Sequence, residues 1–424
     1  MDLSLPRGIR DIEPEEFVLH QRIRDAFDEL TRIYNFKPME PAPLETLSIL
    51  RAKSGSQVDE QIYHFRDKAN REIGLRFDLT VGMTRYVVGK KGMKPPIKLA
   101  SFGGVWRYDE PQHARYRWFY QWDIEVFGDL TTDSDAEVMD FSYNLFKRLG
   151  LSEVKLHVGD RRVVEEFIKN SLKVESEDKA LEMMRALDKV DKKTEAELLK
   201  EYESKGVGHH EIKRLLEFGS TKGHPDAVTK KLAEEGLVSA QGLGELSDVL
   251  KTRGIRNVEY DLSIVRGIDY YTAIVFEVKD GARPDLGSLC GGGRYDVLPR
   301  ILGRPDLPAT GAAGGVERIA LSLSGRSAQT ESNSVYVAFT GASLASEATK
   351  VLAEVRALGV RSDIGLRTKG LRKQLEDASS MGFRWVVLVG KKELDSGMLL
   401  LKDLRDGTEK LLSREETLRE LRAS

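Results

Sequence analysis

The sequence has few of the residues that form cross-links and structural metal sites. One cysteine, Cys290, stands among 424 residues, together with only seven histidines. A single cysteine cannot form an internal disulfide, which fits a reducing compartment. So few ligands also argue against a structural zinc site, which needs about four of them clustered together. We therefore expect no zinc or other metal site built by the protein alone, and a cytoplasmic location.

Long apolar runs and a strong net charge are also missing. No apolar run approaches the roughly 18 to 20 residues that span a bilayer. The first 17 residues are charged from residue 2 and lack the apolar core of a secretory signal. These features predict a protein that does not associate with membranes. The net charge is −2, so any binding of nucleic acid must come from local patches.

Two local tracts are basic. Residues 90–117 contain seven Lys or Arg against two acids, and residues 361–373 contain five against one. In an average soluble protein, each tract alone is more often a solvated face than a nucleic-acid site.

The length and the local patterns indicate several domains. A chain of 424 residues is too long for one ordinary core, and 40% hydrophobic with 32% charged residues is a globular composition. Helical spacing over residues 15–34 is followed by a predicted hairpin over residues 63–77 and a helix opening at residue 78. Residues 160–253 are rich in Lys, Glu and Leu and predict several short helices, whereas residues 335–389 alternate strand and helix.

The best strands are predicted at residues 98–108 and 117–127. In the second strand, large apolar side chains share one face, and Phe119, Gln121, Asp123 and Glu125 share the other. The polar face either meets water or forms the floor of a ligand pocket. An arginine at the end of the first strand, Arg107, suits a phosphate because its fork of donors matches phosphate oxygens. A surface ion pair with Asp109 or Glu110 is an equal alternative.

Two further tracts combine glycine with arginine or tyrosine. The hexapeptide Arg266-Gly-Ile-Asp-Tyr-Tyr271 offers a fixed charge and phenolic donors, although alone it is more often a turn with core tyrosines. Glycines also precede Arg294 and Tyr295, and they precede Glu317 and Arg318, where a base or a phosphate could approach the backbone. From the residues alone, the segment 309–323 predicts a loop that enters a helix. Neither a phosphate-loop nor a dinucleotide-binding pattern occurs.

Together these tracts resemble the class II aminoacyl-tRNA synthetases over nearly the whole chain. The three motifs of that class are similar to residues 17–47, 100–127 and 309–323. The tracts Leu5-Pro-Arg-Gly-Ile-Arg-Asp11, Ile264-Val-Arg-Gly-Ile-Asp-Tyr-Tyr271 and Cys290-Gly-Gly-Gly-Arg-Tyr-Asp296 are similar to the histidyl enzymes in particular. Many bacterial members carry Pro-Glu-Gly-Thr where this chain has Phe77-Asp-Leu-Thr80, a variant that resembles archaeal and eukaryotic members.

The resemblance implies a fold and a domain arrangement. It implies an α+β catalytic domain with an antiparallel sheet flanked by helices, a helical insertion, and a C-terminal α/β domain with a mixed sheet. The expected boundaries are 1–159 and 254–326 for the two parts of the catalytic domain, 160–253 for the insertion, and 332–424 for an anticodon-binding domain.

The resemblance also implies an activity and the residues that serve it. Histidine would be activated with ATP and Mg²⁺ and then transferred to tRNA(His) by a homodimer. Arg107 and Arg266 would be catalytic, and the C-terminal basic tract would contact the anticodon. ATP would contact Arg107, Arg318, Gly314 and Gly315, and the tRNA acceptor end would contact Gln112 and Arg115. Histidine would contact Asp78, Thr80, Gln121, Glu125, Arg266, Tyr271 and Tyr295.

Two alternatives remain open. Regulatory proteins of similar fold bind histidine or uncharged tRNA without catalysis, and other class II enzymes use other amino acids. The three arginines with the C-terminal domain favour an enzyme, and the paired tyrosines after Arg266 favour histidine.

Overall fold

The computed structural model describes residues 3–52, 60–110, 116–187, 189–190, 193–265, 270–324 and 333–423. The chain forms two compact units, Met1–Gly325 and Arg326–Ser424. The domain boundaries predicted within the first unit stay a prediction. Within the described ranges, no helix is both long enough and apolar enough to cross a membrane.

The first unit contains twelve strands and twelve α-helices in its described part, in two groups. Up to the end of the central hairpin these are α1 (Pro14–Ile33), β1 (Lys37–Pro38), β2 (Leu44–Thr46), α2 (Leu47–Arg51), β3 (His64–Arg66), β4 (Glu72–Leu75), α3 (Thr80–Gly89), β5 (Ile97–Trp106) and β6 (Trp118–Phe127). They continue with α4 (Thr132–Arg148), β7 (Val154–Asp160), α5 (Arg161–Glu166), α6 (Glu177–Leu187), α7 (Glu195–Glu203), α8 (His209–Gly219), β8 (Lys222–Gly223), α9 (Pro225–Glu234), α10 (Ala240–Thr252), β9 (Val258–Asp261), β10 (Ile274–Asp280), β11 (Ser288–Arg294), α11 (Val297–Ile301), β12 (Ala309–Gly315) and α12 (Val316–Leu323).

A nine-stranded sheet organises this unit, in the order β1-β5-β6-β12-β11-β10-β7-β9-β8. The six strands from β5 to β7 are antiparallel, as predicted, whereas β1 and β9 join the sheet in parallel. The sheet is therefore mixed, with an antiparallel centre. The predicted helix over residues 15–34 and the predicted hairpin are confirmed as α1 and the antiparallel pair β3–β4.

The predicted alternation in β6 determines how the sheet is covered. Trp122, Ile124 and Val126 point into the main core, where α1 and α4 pack against them. Phe27 and Phe141, from those two helices, lie 6.0 and 6.3 Å from the Trp122 ring between centroids. One face of the sheet is thus closed by helices, and the polar side chains of β6 lie on the other.

The glycine-rich segment before α12 is a strand and not the loop that its residues alone predict. Ala309–Gly315 pairs with β6 on one side and with β11 on the other. Glycine usually weakens a strand interior, but it is used where another group approaches the backbone closely. A Cβ at Gly314 would lie 2.5 Å from Trp122 Nε1, so the neighbouring strand requires this glycine.

The second unit is a five-stranded mixed sheet with helices, as predicted. Its strand order is β14-β13-β15-β16-β17, with β13 parallel to both neighbours and the last two pairs antiparallel. Three of these strands were not predicted. Strands β14 and β17 carry charged side chains among few apolar ones, and β16 begins with four apolar residues that show no alternation. The elements are β13 (Ser334–Phe339), α13 (Ala345–Ala357), β14 (Arg361–Ile364), α14 (Leu371–Ser380), β15 (Trp385–Val389), α15 (Lys391–Asp395), β16 (Met398–Asp403), β17 (Glu409–Ser413) and α16 (Arg414–Ala423).

Candidate active site

The polar face of β6 is buried and does not meet water. Gln121, Asp123 and Glu125 are 4%, 0% and 1% exposed. Gln121 and Glu125 lie on a cavity of ≈ 180 Å³, which we call the inner cavity. Its lining is Asp78, Thr80, Arg107, Gln121, Glu125, Tyr270, Tyr271, Tyr295, Gly311, Ala312 and Ala313.

Tyrosines and one glutamate form one end of the inner cavity. The Tyr295 hydroxyl donates to Glu125 Oε2, and the Tyr270 ring stacks on Tyr295 at 4.8 Å between centroids. Burial raises the pKa values of Tyr271 and Tyr295 above the ordinary range, so both phenols stay protonated at neutral pH. This end therefore combines a carboxylate acceptor with phenolic groups that donate or accept hydrogen bonds.

The start of α3 supplies a second group of polar side chains. Asp78 accepts a hydrogen bond at Oδ1 from the backbone amide of Val81, at 3.1 Å, which fixes it at the first turn. Thr80 Oγ1 donates to Asp123 Oδ2 at 2.9 Å. The lining thus carries the two carboxylates of Asp78 and Glu125, an arrangement that suits a ligand bearing ammonium or N–H groups.

Glu125 occupies space that a side chain on β12 would fill. A Cβ built on Gly311 would lie 1.6 Å from Glu125 Oε2 and 2.7 Å from the carbonyl oxygen of Ile124. Gly311 pairs directly with Glu125 across the two strands. The position of this carboxylate therefore requires a glycine, which has no side chain, at position 311 of the neighbouring strand.

Arg107 lies where the inner cavity adjoins a larger one of ≈ 410 Å³, which we call the outer cavity. Its Nε donates to the carbonyl oxygen of Phe77 at 2.8 Å, and its Nη2 lies 3.5 Å from Gln121 Oε1. The guanidinium is also 5.2 Å from the ring centroid of Phe119, which lines the outer cavity. A fixed positive charge thus separates the acidic pocket from the larger space.

The turn from β12 into α12 forms the opposite wall of the outer cavity. Gly314, Gly315 and Arg318 line it, and Arg318 Nη1 donates to the carbonyl oxygen of Ser288 at 2.6 Å. Glu317 accepts from the backbone amide of Tyr120 at 2.9 Å, and burial raises the pKa of Glu317 to about 7. Arg107 and Arg318 therefore contribute positive charge to the outer cavity.

The structure brings together most of the predicted site. Of the predicted histidine contacts, Asp78, Thr80, Gln121, Glu125, Tyr271 and Tyr295 line the inner cavity. The predicted ATP contacts Arg107, Arg318, Gly314 and Gly315 all line the outer cavity. Arg266, Gln112 and Arg115 lie outside the described residues.

Sequence reasoning did not include several cavity residues. Tyr270 and Phe119 line the cavities, and Asp123 lies directly beneath the inner one. The sequence contained features that could have identified these three residues, because Phe119 and Asp123 share the polar face of β6 and Tyr270 adjoins Tyr271. Gln61 and Tyr116 also line the outer cavity, and no pattern in the sequence marks them.

A separate group of metal-binding residue types lies away from these cavities. Potential ligand atoms of His157, Glu259 and Asp261 all lie within 4.8 Å of one another. Lys155 Nζ is 2.7 Å from Glu259 Oε2, and Ser263 donates to Asp261 through its backbone amide and its hydroxyl. These contacts occupy one oxygen of each carboxylate, Glu259 Oε2 and Asp261 Oδ1.

Comparison with known proteins gives the family. The family model described as histidyl-tRNA synthetase matches residues 8–319, and the one described as anticodon binding domain matches residues 334–424. A protein named histidine–tRNA ligase from Thermococcus kodakarensis is 34% identical, over 99% of this chain and 98% of its own length. One of the same name from Pyrococcus abyssi is 35% identical, over 95% of both chains.

Solved structures share the fold. The crystal structure of histidyl-tRNA synthetase from Nostoc sp. PCC 7120 has a TM-score of 0.86 and 24% identity, covering 100% of this chain and 99% of that one. A Bacillus halodurans structure, titled as an ATP phosphoribosyltransferase regulatory subunit/histidyl-tRNA synthetase, has a TM-score of 0.75 and 25% identity, covering 92% of this chain and 99% of that one. The family models and the relatives together place this chain in the histidyl-tRNA synthetase family.

Proposed function

We propose that this chain is a histidine–tRNA ligase, which activates L-histidine with ATP and transfers it to the 3′ end of tRNA(His). The observation that carries this proposal is the pairing of two adjoining cavities. The inner one carries Asp78, Glu125 and three tyrosines, whereas the outer one carries Arg107 and Arg318. An amino acid with a basic ring fits the first, and a polyphosphate fits the second.

In this proposal the inner cavity recognises both ends of histidine. Glu125, Tyr271 and Tyr295 surround the imidazole, because a carboxylate and phenols match its ring N–H and ring nitrogen. Asp78, Thr80 and Gln121 bind the α-ammonium and carboxylate end. A pocket of matched hydrogen-bond partners can reject analogues that lack them by a factor of roughly 10⁴ to 10⁵.

The outer cavity would hold ATP. Arg107 binds the α-phosphate and Arg318 the γ-phosphate, because guanidinium forks match phosphate oxygens. Gly314 and Gly315 allow the nucleotide to approach the backbone, and the Phe119 ring offers an apolar face to the base. Arg266 would add positive charge between the α-phosphate and the histidine carboxylate, a role that stays a prediction.

The donor chemistry beside the outer cavity fits Mg²⁺. Glu277 is 2% exposed, lies 3.3 Å from Lys279 Nζ through its Oε2, and lines the adjoining space together with Arg318. Carboxylate oxygens and substrate phosphates are the usual ligands of this ion. Glu277 would help to hold Mg²⁺, and the ion would neutralise charge on the pyrophosphate.

The reaction needs no protein nucleophile. A carboxylate oxygen of histidine attacks the α-phosphorus, and the bond to the bridging oxygen breaks to release pyrophosphate. Arg107 stabilises the charge on the five-coordinate phosphorus, and positioning of the two anions provides the rest of the rate. In the second step a terminal ribose hydroxyl of tRNA attacks the carbonyl carbon, AMP leaves, and a phosphate oxygen accepts the hydroxyl proton.

The tRNA contacts and the assembly are part of the same proposal. Gln112 and Arg115 would contact the acceptor end, and residues 332–424 would bind the anticodon with the basic residues 361–373. Catalytic parts 1–159 and 254–326 would flank the insertion 160–253. The active form would be a cytoplasmic homodimer, as expected for the family.

The decisive experiment is ATP–pyrophosphate exchange with each amino acid in turn. Histidine alone should support exchange, and Arg266→Ala should lower its rate by several orders of magnitude without changing the melting temperature. Binding of histidine without exchange would instead favour a regulatory protein. Exchange with a different amino acid would overturn the assignment of the inner cavity.

A further inference from the structure

A buried carboxyl group without an assigned role lies directly beneath the inner cavity. Asp123 is 0% exposed and stands between Gln121 and Glu125 on the same face of β6. Its Oδ2 accepts hydrogen bonds from Thr80 Oγ1 at 2.9 Å and from Gln121 Nε2 at 3.4 Å. The Glu125 side chain, which follows it on the same face, also interacts with the Asp123 carboxyl group.

These contacts fix the orientation of the Gln121 amide. The Nε2 group faces the Asp123 carboxyl, and Oε1 faces the Arg107 guanidinium at 3.5 Å. The flipped amide would place its donors against the guanidinium, which has only donors. The Arg107 guanidinium therefore requires that Gln121 present its oxygen towards the cavity.

Thr80 is oriented in the same way. Its hydroxyl proton is used on Asp123 Oδ2, so only lone pairs remain for a ligand. Gln121 and Thr80 then add two acceptors to the carboxylate of Asp78. The three acceptors from Asp78, Thr80 and Gln121 suit an ammonium group, which has three donors and no acceptor.

We propose that Asp123 is a positioning residue for the α-ammonium group of histidine, which it recognises indirectly by holding Gln121 and Thr80 with their acceptors towards the inner cavity. This inference rests on the proposed histidine-binding function. Asp123 need not touch the ligand, because its effect passes through two hydrogen bonds to residues that do.

The surroundings of Asp123 favour the neutral form of its carboxyl group. Burial first, and the charge of Glu125 second, raise the pKa of Asp123 well above its ordinary range. A protonated carboxyl with its proton on Oδ1 accepts both hydrogen bonds at Oδ2 like a carbonyl, so asparagine is its close mimic. The charged or titratable groups that surround it are Asp78, Glu125, Tyr270, Tyr271, Tyr295 and Arg107.

Three ligands separate this role from a merely structural one. Histidine carries both an ammonium and a carboxylate group, histidinol carries only the ammonium, and imidazolepropionate carries only the carboxylate. Calorimetric titration of the full chain with each ligand gives the dissociation constants without requiring catalysis. A lost charge-assisted hydrogen bond of about 1.5–3 kcal/mol corresponds to roughly a 10- to 150-fold weaker affinity.

Asp123→Ala should weaken histidine and histidinol at least about tenfold and change imidazolepropionate by less than about threefold. Asp123→Asn should keep all three affinities within about threefold, because its amide oxygen accepts both hydrogen bonds. Ser101→Ala is the matched control, since Ser101 is 2% exposed and pairs directly with Asp123 on the adjacent strand. That control should bind all three ligands normally.

Several results would overturn the proposal. Equal losses for all three ligands in Asp123→Ala would show general damage to the cavity. A tenfold loss of histidinol binding in Asp123→Asn would show that the ionised carboxylate is needed, and this variant decides the matter if the alanine variant fails to fold. Absence of histidine binding in the wild type would instead refute the proposed function itself.

Discussion

Replacing Gly311 by alanine should damage the inner cavity through Glu125. The new Cβ would lie 1.6 Å from Glu125 Oε2 and 2.7 Å from the backbone carbonyl oxygen of Ile124. Moving the Glu125 side chain relieves only the first contact, so strand β6 must also shift. Overpacking of this kind costs about 1–3 kcal/mol, which lowers the melting temperature by about 1.5 °C for each kcal/mol in a unit of 325 residues.

The functional effect of this substitution should exceed the effect on stability. Displacing Glu125 should remove the proposed charge-assisted hydrogen bond to the imidazole and so raise the KM for histidine by roughly 10- to 150-fold. The KM for ATP should stay within about threefold, because Glu125 does not line the outer cavity. Exchange kinetics with each substrate varied in turn measure both values.

Gly315→Ala is the control for stability, because a Cβ there would meet nothing within 4 Å. It lies on the same strand and should melt like the wild type. A Gly311→Ala variant that melts normally and keeps its KM for histidine would refute the argument that Glu125 needs the space above Gly311.

Three further outcomes are expected. Arg294→Met should destabilise the protein by about 3–5 kcal/mol in urea unfolding, because the buried Arg294 guanidinium is 2.9 Å from Asp135 and its loss leaves that carboxyl without its ion-pair partner. Adding Asp135→Leu should recover part of the lost stability. An Arg294→Met variant as stable as the wild type would contradict this argument. Folding raises the pKa of Glu317 from 4.5 to about 7, so the wild type loses stability as pH rises through that interval. The free energy of unfolding of Glu317→Gln, measured at several pH values, should therefore rise relative to the wild type by up to about 3 kcal/mol across the interval. Parallel pH dependences for the two proteins would exclude the effect. Deleting residues 332–424 should abolish efficient tRNA charging yet spare histidine-dependent exchange, and unaltered charging would remove the anticodon role.

Local periodicity predicted the elements whose residue pattern fits only one kind of secondary structure, such as an amphipathic helix or an alternating strand. The alternation in β6 gave both faces of the central strand, and α1 has the predicted bounds to within one residue. Strand β12 could not be predicted from its residues, because glycine is disfavoured in strands unless a neighbour needs the space. That neighbour, Glu125, is 186 positions away in sequence from Gly311.

The sequence predicted which residues line the cavities but not which of them contact one another. Sequence motifs brought forward Glu125 and Tyr295, but the hydrogen bond between them joins residues 170 positions apart. Asp123 was visible as part of a polar face, yet its role depends on Thr80, which comes from a different element. Such networks arise from the tertiary fold, and a single sequence carries no direct record of them.

The glycine strand β12 also limits how the protein can be stabilised in the laboratory. Replacing strand glycines by β-branched residues normally improves a sheet by reducing the freedom of the unfolded chain and by adding packing. At Gly311 and Gly314 that route is closed, because the added atoms would occupy the positions of Glu125 and Trp122. Attempts to make a heat-resistant variant should therefore leave these two positions untouched and begin at exposed residues far from both cavities.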